Sequence, residues 1–228
     1  MRLSPDELVF WQWGPVVLNA TLVFTWLVMA LLVVGSWLVT RRLEPGTGMR
    51  RGQNVLEATV VWIRGQIAEV APGDADRFLP FVGTLFLFIA VSNLLAAVPF
   101  FEPPTGSLST TAALAGCVFF AVPLYGIARR GLRGYLKQYV TPTPLMLPFQ
   151  IIGELSRTLA LAVRLFGNVM SGTMIVAILL ALAPFLFPVP MQALGLLTGL
   201  VQAYVFAVLS LIYLASASRA REDGPGPS

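Results

Sequence analysis

The stretch from Leu145 to Ala183, LMLPFQIIGELSRTLALAVRLFGNVMSGTMIVAILLALA, decides how this chain folds. Its 39 residues would make a helix roughly 58 Å long at 1.5 Å per residue. The hydrocarbon layer of a bilayer is only about 30 Å thick. No proline interrupts the run between Pro148 and Pro184, so one long tilted helix is expected. Gly153, Gly167 and Gly172 are the places where it could bend or let a neighbour approach. Near its middle sits Arg164, whose guanidinium cannot easily lose its charge. Holding that charge at bilayer depth costs at least roughly 2.5 kcal/mol. The nearest ionisable residues are Arg157, a like charge, and Glu154, nearly three helical turns away. A carboxylate supplied by another subunit would resolve the imbalance.

The rest of the chain agrees with a membrane setting. Hydrophobic residues make up 57% of the 228 and charged residues 11%, against about 25% charged in soluble domains. The reading is an all-α integral membrane protein forming a single membrane domain over 1–228. Five spans are expected at about 16–39, 79–101, 108–128, 145–183 and 191–217. Between the first two, Leu56, Val60, Ile63, Ile67 and Val70 recur at helical spacing. This predicts an amphipathic helix over about 53–70, lying along the cytoplasmic surface of the membrane or packed on a partner subunit. Pro72-Gly73 ends it. The tail Gly224–Ser228 reads as disordered.

Charge placement sets an orientation. Basic residues follow spans one, three and five: Arg41 and Arg42, then Arg129, Arg130, Arg133 and Lys137, then Arg219 and Arg221. The N-terminus, the 102–107 loop and the 184–190 turn carry Arg2 as their sole basic residue. The N-terminus is therefore expected outside and the C-terminus in the cytoplasm. Asp6 and Glu7 ahead of the first span argue against a cleaved signal peptide.

The same composition excludes several functions. There is no histidine, which removes imidazole metal sites and imidazole proton relays. Cys117 is the lone cysteine and has no partner for an intrachain disulfide. Basic residues cluster at span ends, not in a nucleic-acid-binding patch. Lys137 is the only lysine, and no Gly-rich phosphate loop carries it, so nucleotide chemistry within this chain is not expected. No metal and no cofactor is called for.

A helical wheel collects the polar residues of the fourth span. With Arg164 at zero, Arg157 falls at roughly +20°, Gln150 and Asn168 at roughly +40°, Ser171 at roughly −20° and Glu154 at roughly +80°. On the fifth span Gly195, Thr198, Gly199, Gln202, Phe206 and Tyr213 share a face. Two readings stand. The polar residues form a seam between helices of this chain, with Gln202 as interhelical glue, or they form a face turned to a partner, with Gln202 orienting Arg164.

The segment Glu154–Gly172, with its Arg-Leu-Phe-Gly-Asn core at Arg164–Asn168, closely resembles the signature of subunit a of rotary F-type ATP synthases. Val201–Phe206 and Ile212–Ser216 look like that family's last helix, Gln53–Glu57 like its surface helix, and Ser92–Leu95 like its second span. The resemblance covers essentially the whole chain. It implies a non-catalytic stator subunit of a bacterial inner-membrane complex. Its partners would be the ring of c subunits, the peripheral-stalk subunit b and membrane lipid. Arg164 would meet the ring carboxylate and separate two aqueous half-channels, with Asn168, Gln202, Glu154, Arg157, Ser171 and Tyr213 as further ion-translocation residues. Protons are the first expectation for the coupling ion and sodium the alternative.

Departures from the family pattern matter. Thr158 stands where proline is common, Ala96 where some relatives place an acid, and Thr173 and Gly195 where many carry a Glu or His pair. The outer half-channel would then rest on water and hydroxyls, or the chain would belong to a sodium-translocating branch such as the compact N-type ATPases. The alternative function is a small secondary transporter holding an anionic substrate at Arg164. Such folds usually show internal repeats, and no second Arg-Leu-Phe-Gly-Asn-like segment is present.

Overall fold

The computed structural model describes residues 9–13, 16–41, 51–98, 101–140, 146–182 and 188–218. Helices dominate: α1 (Ala20–Thr40), α2 (Arg51–Val70), α3 (Ala75–Leu95), α4 (Leu108–Val140), α5 (Met146–Leu182) and α6 (Pro188–Ser218). Five of them, all but α2, hold a segment long and apolar enough to cross a bilayer. The all-α membrane class expected from composition is borne out.

Boundaries differ in instructive ways. Val16–Asn19, expected as the start of the first span, instead forms β2 and pairs antiparallel with β1 (Val9–Trp13). Both segments are rich in β-branched and aromatic residues, which favour strands. Helix α3 ends at Leu95, short of the expected Phe101, because the Ala96–Val98 segment turns through successive backbone bonds to Asn93, Leu94 and Leu95. An apolar run outlasts the helix here, since hydropathy does not register backbone direction. Helix α4 passes the expected Ala128 and reaches Val140, with a break at Gly131 (φ 72, ψ 163). That left-handed φ is one glycine adopts at little cost. The acidic N-terminus, the 42–50 loop, the 184–187 part of the last turn and the tail from Arg219 lie outside the described residues.

Helix α5 is the long element anticipated. Its 37 residues give about 55 Å of helix. The glycines expected to bend it or admit a neighbour do not meet a close neighbour within the described chain. A Cβ at Gly153, Gly167 or Gly172 would meet nothing within 4 Å.

The core sits where α3, α4 and α6 meet. Phe78, Ile89, Val118, Phe206, Leu211 and Leu214 are fully buried there. Helix α2 turns Ile63 and Ile67 into this core. Its Trp62 ring lies 5.6 Å from Phe86 and 6.0 Å from Tyr204, whose hydroxyl donates to Gln66 Oε1 at 2.6 Å. The surface helix is thus clamped on α3 and α6 by its own chain. At the same end Arg64 pairs with Asp76 at 2.8 Å, Arg129 pairs with Asp74, and Arg77 lies over the Tyr125 ring. The basic end of α4 is thereby fixed to the α2–α3 turn, where Gly73 takes φ 86.

Candidate ion-translocation site

Helix α5 buries Leu161, Ala162 and Leu165 and leaves Leu155, Leu159 and Val163 exposed. The polar stripe lies along the edge between those faces. Arg164, Arg157, Asn168 and Ser171 are exposed, and Glu154 is half-buried. Leu159, placed by the wheel well away from the stripe, is nevertheless 56% exposed, so the open face of α5 is wider than its polar residues alone mark.

The described structure brings the sequence-derived residues together in two pairs. Asn168 Nδ2 donates to Gln202 Oε1 at 3.1 Å, joining α5 to α6. Gln202 is 4% exposed, and its Nε2 has no acceptor among the described residues. A buried unmatched donor of this kind costs about 1–3 kcal/mol unless water reaches it. One helical face further along, the Arg157 guanidinium lies 5.6 Å from the centroid of the half-buried Tyr213 ring, a distance at which the ring quadrupole attracts the cation. Ser171 donates back to Asn168 O and joins neither pair. Arg164 has no hydrogen bond or ion pair with any described residue. Gln202 therefore engages the stripe through Asn168 and makes no direct bond to the guanidinium.

A cavity of about 280 Å³ opens between α3, α5 and α6, starting at Asn168 and running to Leu180, Met191 and Gln192. Thr173 and Gly195 both line it, as do Ala96, just after α3, and Pro103. No described lining residue is ionisable; the polar side chains are Asn93, Asn168, Thr173, Gln192 and Thr198. A Cβ at Gly195 would meet nothing within 4 Å.

Sequence reasoning passed over the polar knot behind this cavity. Asn93 Nδ2 donates to Gly199 O at 2.8 Å, and Thr105 Oγ1 donates to Asn93 Oδ1 at 3.0 Å, all buried. A Cβ on Gly199 would sit 3.0 Å from Asn93 Cβ and Cγ, so α3 and α6 meet here more closely than a side chain readily allows. The signal was an amide in the middle of an apolar span, which rarely sits there without a partner.

The ATP synthase A chain family profile matches residues 22–215. The chain belongs to the ATP synthase A chain family. Among its relatives, "ATP synthase subunit a 2" of Acaryochloris marina is 65% identical over 219 residues, 96% of this chain and 94% of that protein. "ATP synthase subunit a" of Albidiferax ferrireducens is 60% identical over 227 residues, 100% of this chain and 98% of that one. "ATP synthase subunit a 1" of Chlorobaculum parvum is 61% identical over 222 residues, 97% and 98% respectively. Membership of this family, with five helices long enough to span a bilayer, makes the chain a multi-pass membrane protein.

Proposed function

We propose that the chain is the ion-translocating stator subunit a of a rotary ATP synthase, and that it performs no ATP chemistry of its own. The observation that carries this is Arg164: a permanent cation, exposed on a long apolar helix, with no partner among the described residues. A site at bilayer depth keeps such a charge when another molecule meets it. The carboxylate of a rotating c subunit supplies that partner in trans. A peripheral-stalk subunit b holds the chain still while the ring turns.

In this reading the tilted α5 lies along the ring, and Arg164 divides two aqueous half-channels. The cavity from Asn168 to Gln192 is the one on the side of the 102–107 segment, which positive charge at the opposite ends of the spans makes the outer side. Asn168 and Gln202 form an amide bridge at its inner end. Arg157, held by Tyr213, and Glu154 lie on the cytoplasmic side of Arg164. An ion entering from outside reaches the ring carboxylate and rides a nearly full turn before leaving. Protons are the leading coupling ion and sodium the alternative, because the ring's own ligands make the final choice. The whole chain works as one domain in a bacterial inner membrane, with the N-terminus outside.

The test is Arg164→Gln in the assembled complex, reconstituted in liposomes. It keeps a polar side chain with N–H donors but removes the charge. Ion-gradient-driven ATP synthesis should fall to background, with the complex still assembled. Near-normal synthesis would end this assignment. A transporter of anionic substrates, the other reading of Arg164, would instead show substrate uptake by the isolated chain.

A further inference from the structure

Helix α4 carries a cluster of positive charge past its membrane-spanning part. The apolar segment runs over Leu108–Arg129. The helix then kinks at Gly131 (φ 72, ψ 163) and continues to Val140, a change of direction that glycine makes at little cost. The next segment able to cross a bilayer starts at Pro148 on α5. Residues 130–147 are therefore tethered at both ends to one face of the membrane. Within them, 132–140 form a helix about 14 Å long.

The sequence of that short helix is two-sided. On a wheel begun at Leu132, the positions of Tyr135, Leu136, Tyr139 and Val140 all fall within roughly 80° of it. Arg133 and Lys137 fall at roughly 100° and 140°, and Gly134 and Gln138 lie opposite. An aliphatic and tyrosine face with a basic edge is the composition of a helix lying in the membrane–water boundary. No Asp or Glu occurs between Glu102 and Glu154, so this stretch of chain holds no acid to offset Arg130, Arg133 and Lys137. Arg129 differs, being paired with Asp74. A nine-residue helix is marginal in water by itself and needs a surface. Across the connection, α5 opens with Phe149 and Ile152 70% and 60% exposed, which puts further apolar surface just beyond it.

We propose that residues 130–140 are an interfacial docking segment for anionic phospholipid. The apolar face enters the boundary between headgroups and acyl chains, and Arg130, Arg133 and Lys137 meet the negatively charged phosphates. An acidic protein would satisfy the basic edge alone, whereas a bilayer takes up the edge and the apolar face in one plane. Docking holds the connection into α5 and so steadies the cytoplasmic start of the helix that carries Arg164. The preference for anionic lipid does not depend on what Arg164 does.

Site-directed spin labelling of the assembled complex tests it. In a Cys117→Ser background, single cysteines at each position from Leu132 to Val140 carry a nitroxide. The complexes are reconstituted in vesicles of phosphatidylcholine alone or of phosphatidylcholine and phosphatidylglycerol at roughly two to one. In the anionic vesicles, collision with oxygen should dominate at Leu132, Leu136 and Tyr139, and collision with a water-soluble nickel chelate at Gly134 and Gln138. Three basic residues beside an anionic surface favour docking by roughly a hundredfold. The docked-to-free ratio read at Leu136→Cys should therefore fall at least about tenfold in phosphatidylcholine alone. It should fall equally in anionic vesicles when Arg130→Gln, Arg133→Gln and Lys137→Gln are combined. The lipid comparison keeps the parent charges, so it decides the matter even where the triple variant assembles poorly. Exposure without a helical period in anionic vesicles, or the same period in both lipids, would overturn the proposal. A period that persists in phosphatidylcholine and vanishes when the other subunits are stripped away would assign the segment to a partner protein. None of these results bears on Arg164→Gln, so the stator reading stands or falls separately.

Discussion

Two residues show how much depends on single atoms. Gly199 carries no side chain because Asn93 occupies the space a Cβ would need, at 3.0 Å. Gly199→Ala should destabilise the complex by about 1–3 kcal/mol, the usual cost of overpacking a tight contact. Asn93→Ala alone removes Cγ and Nδ2 from that contact, keeps Cβ in it, and leaves Gly199 O and Thr105 Oγ1 without their amide. Thermal unfolding of the purified complex should therefore show Gly199→Ala as less harmful in an Asn93→Ala background than in the parent. Additive losses would mean the two residues do not share the space. At Gln202 the expectation is different in kind. Gln202→Leu leaves Asn168 Nδ2 unpaired at the edge of the cavity but preserves the charge of Arg164. ATP synthesis should drop several-fold, an energy of about 1 kcal/mol for one neutral hydrogen bond, whereas Arg164→Gln removes synthesis altogether. Equal losses from the two variants would place Gln202 beside Arg164 in function.

At the scale of the element, periodicity made α5 legible in length and in the position of its polar stripe, because both follow from 3.6 residues per turn. It did not reveal which flank of the stripe packs on α6. Leu159, Leu161, Val163 and Leu165 are alike in hydropathy, yet Leu161 and Leu165 are 1% and 0% exposed while Leu159 and Val163 are 56% and 59% exposed. That choice is made by neighbours outside the helix, and no pattern within it records them. The glycines of α6 are equally silent: Gly195 lines a cavity and Gly199 meets a side chain, and the sequence shows two identical residues. The strand at Val16–Asn19 was invisible because its residues are apolar enough to continue α1. If α5 lies against the ring, cysteines at Leu159 and Val163 should crosslink to ring cysteines, as should one at Ser171. Cysteines at Leu161 and Leu165 should crosslink to partners within the chain. The reverse pattern would turn the helix by half and remove the ring from its exposed face.

At the scale of the whole molecule, the described contacts gather one kind of chemistry at one end. Arg129 is tied to Asp74, Arg77 to Tyr125 and Arg64 to Asp76, so the start of α3 and the end of the first part of α4 share a surface with the C-terminal half of α2. Arg41, over the Trp37 ring at the end of α1, and Arg219 and Arg221 after α6 fall at corresponding ends of their own helices by the alternation of antiparallel spans. Positive charge is held back on the cytoplasmic side during insertion, which predicts a cytoplasmic C-terminus. A reporter fused after Ser228 should read cytoplasmic. The opposite end needs a gentler probe than an inserted domain. Thr105 is fully buried and bonded to Asn93, so an insertion there would break the knot that joins α3 to α6. Glu102 is half-buried at the same end and has no such bond among the described residues. In a Cys117→Ser background, Glu102→Cys should react with a membrane-impermeant maleimide added to intact cells after the outer barrier is opened. A cysteine at Gly65 should react only after the inner membrane is broken. The reverse order would invert the molecule. The cavity would then open to the cytoplasm, and the assignment of an outer inlet at Thr173 and Gly195 would fail with it.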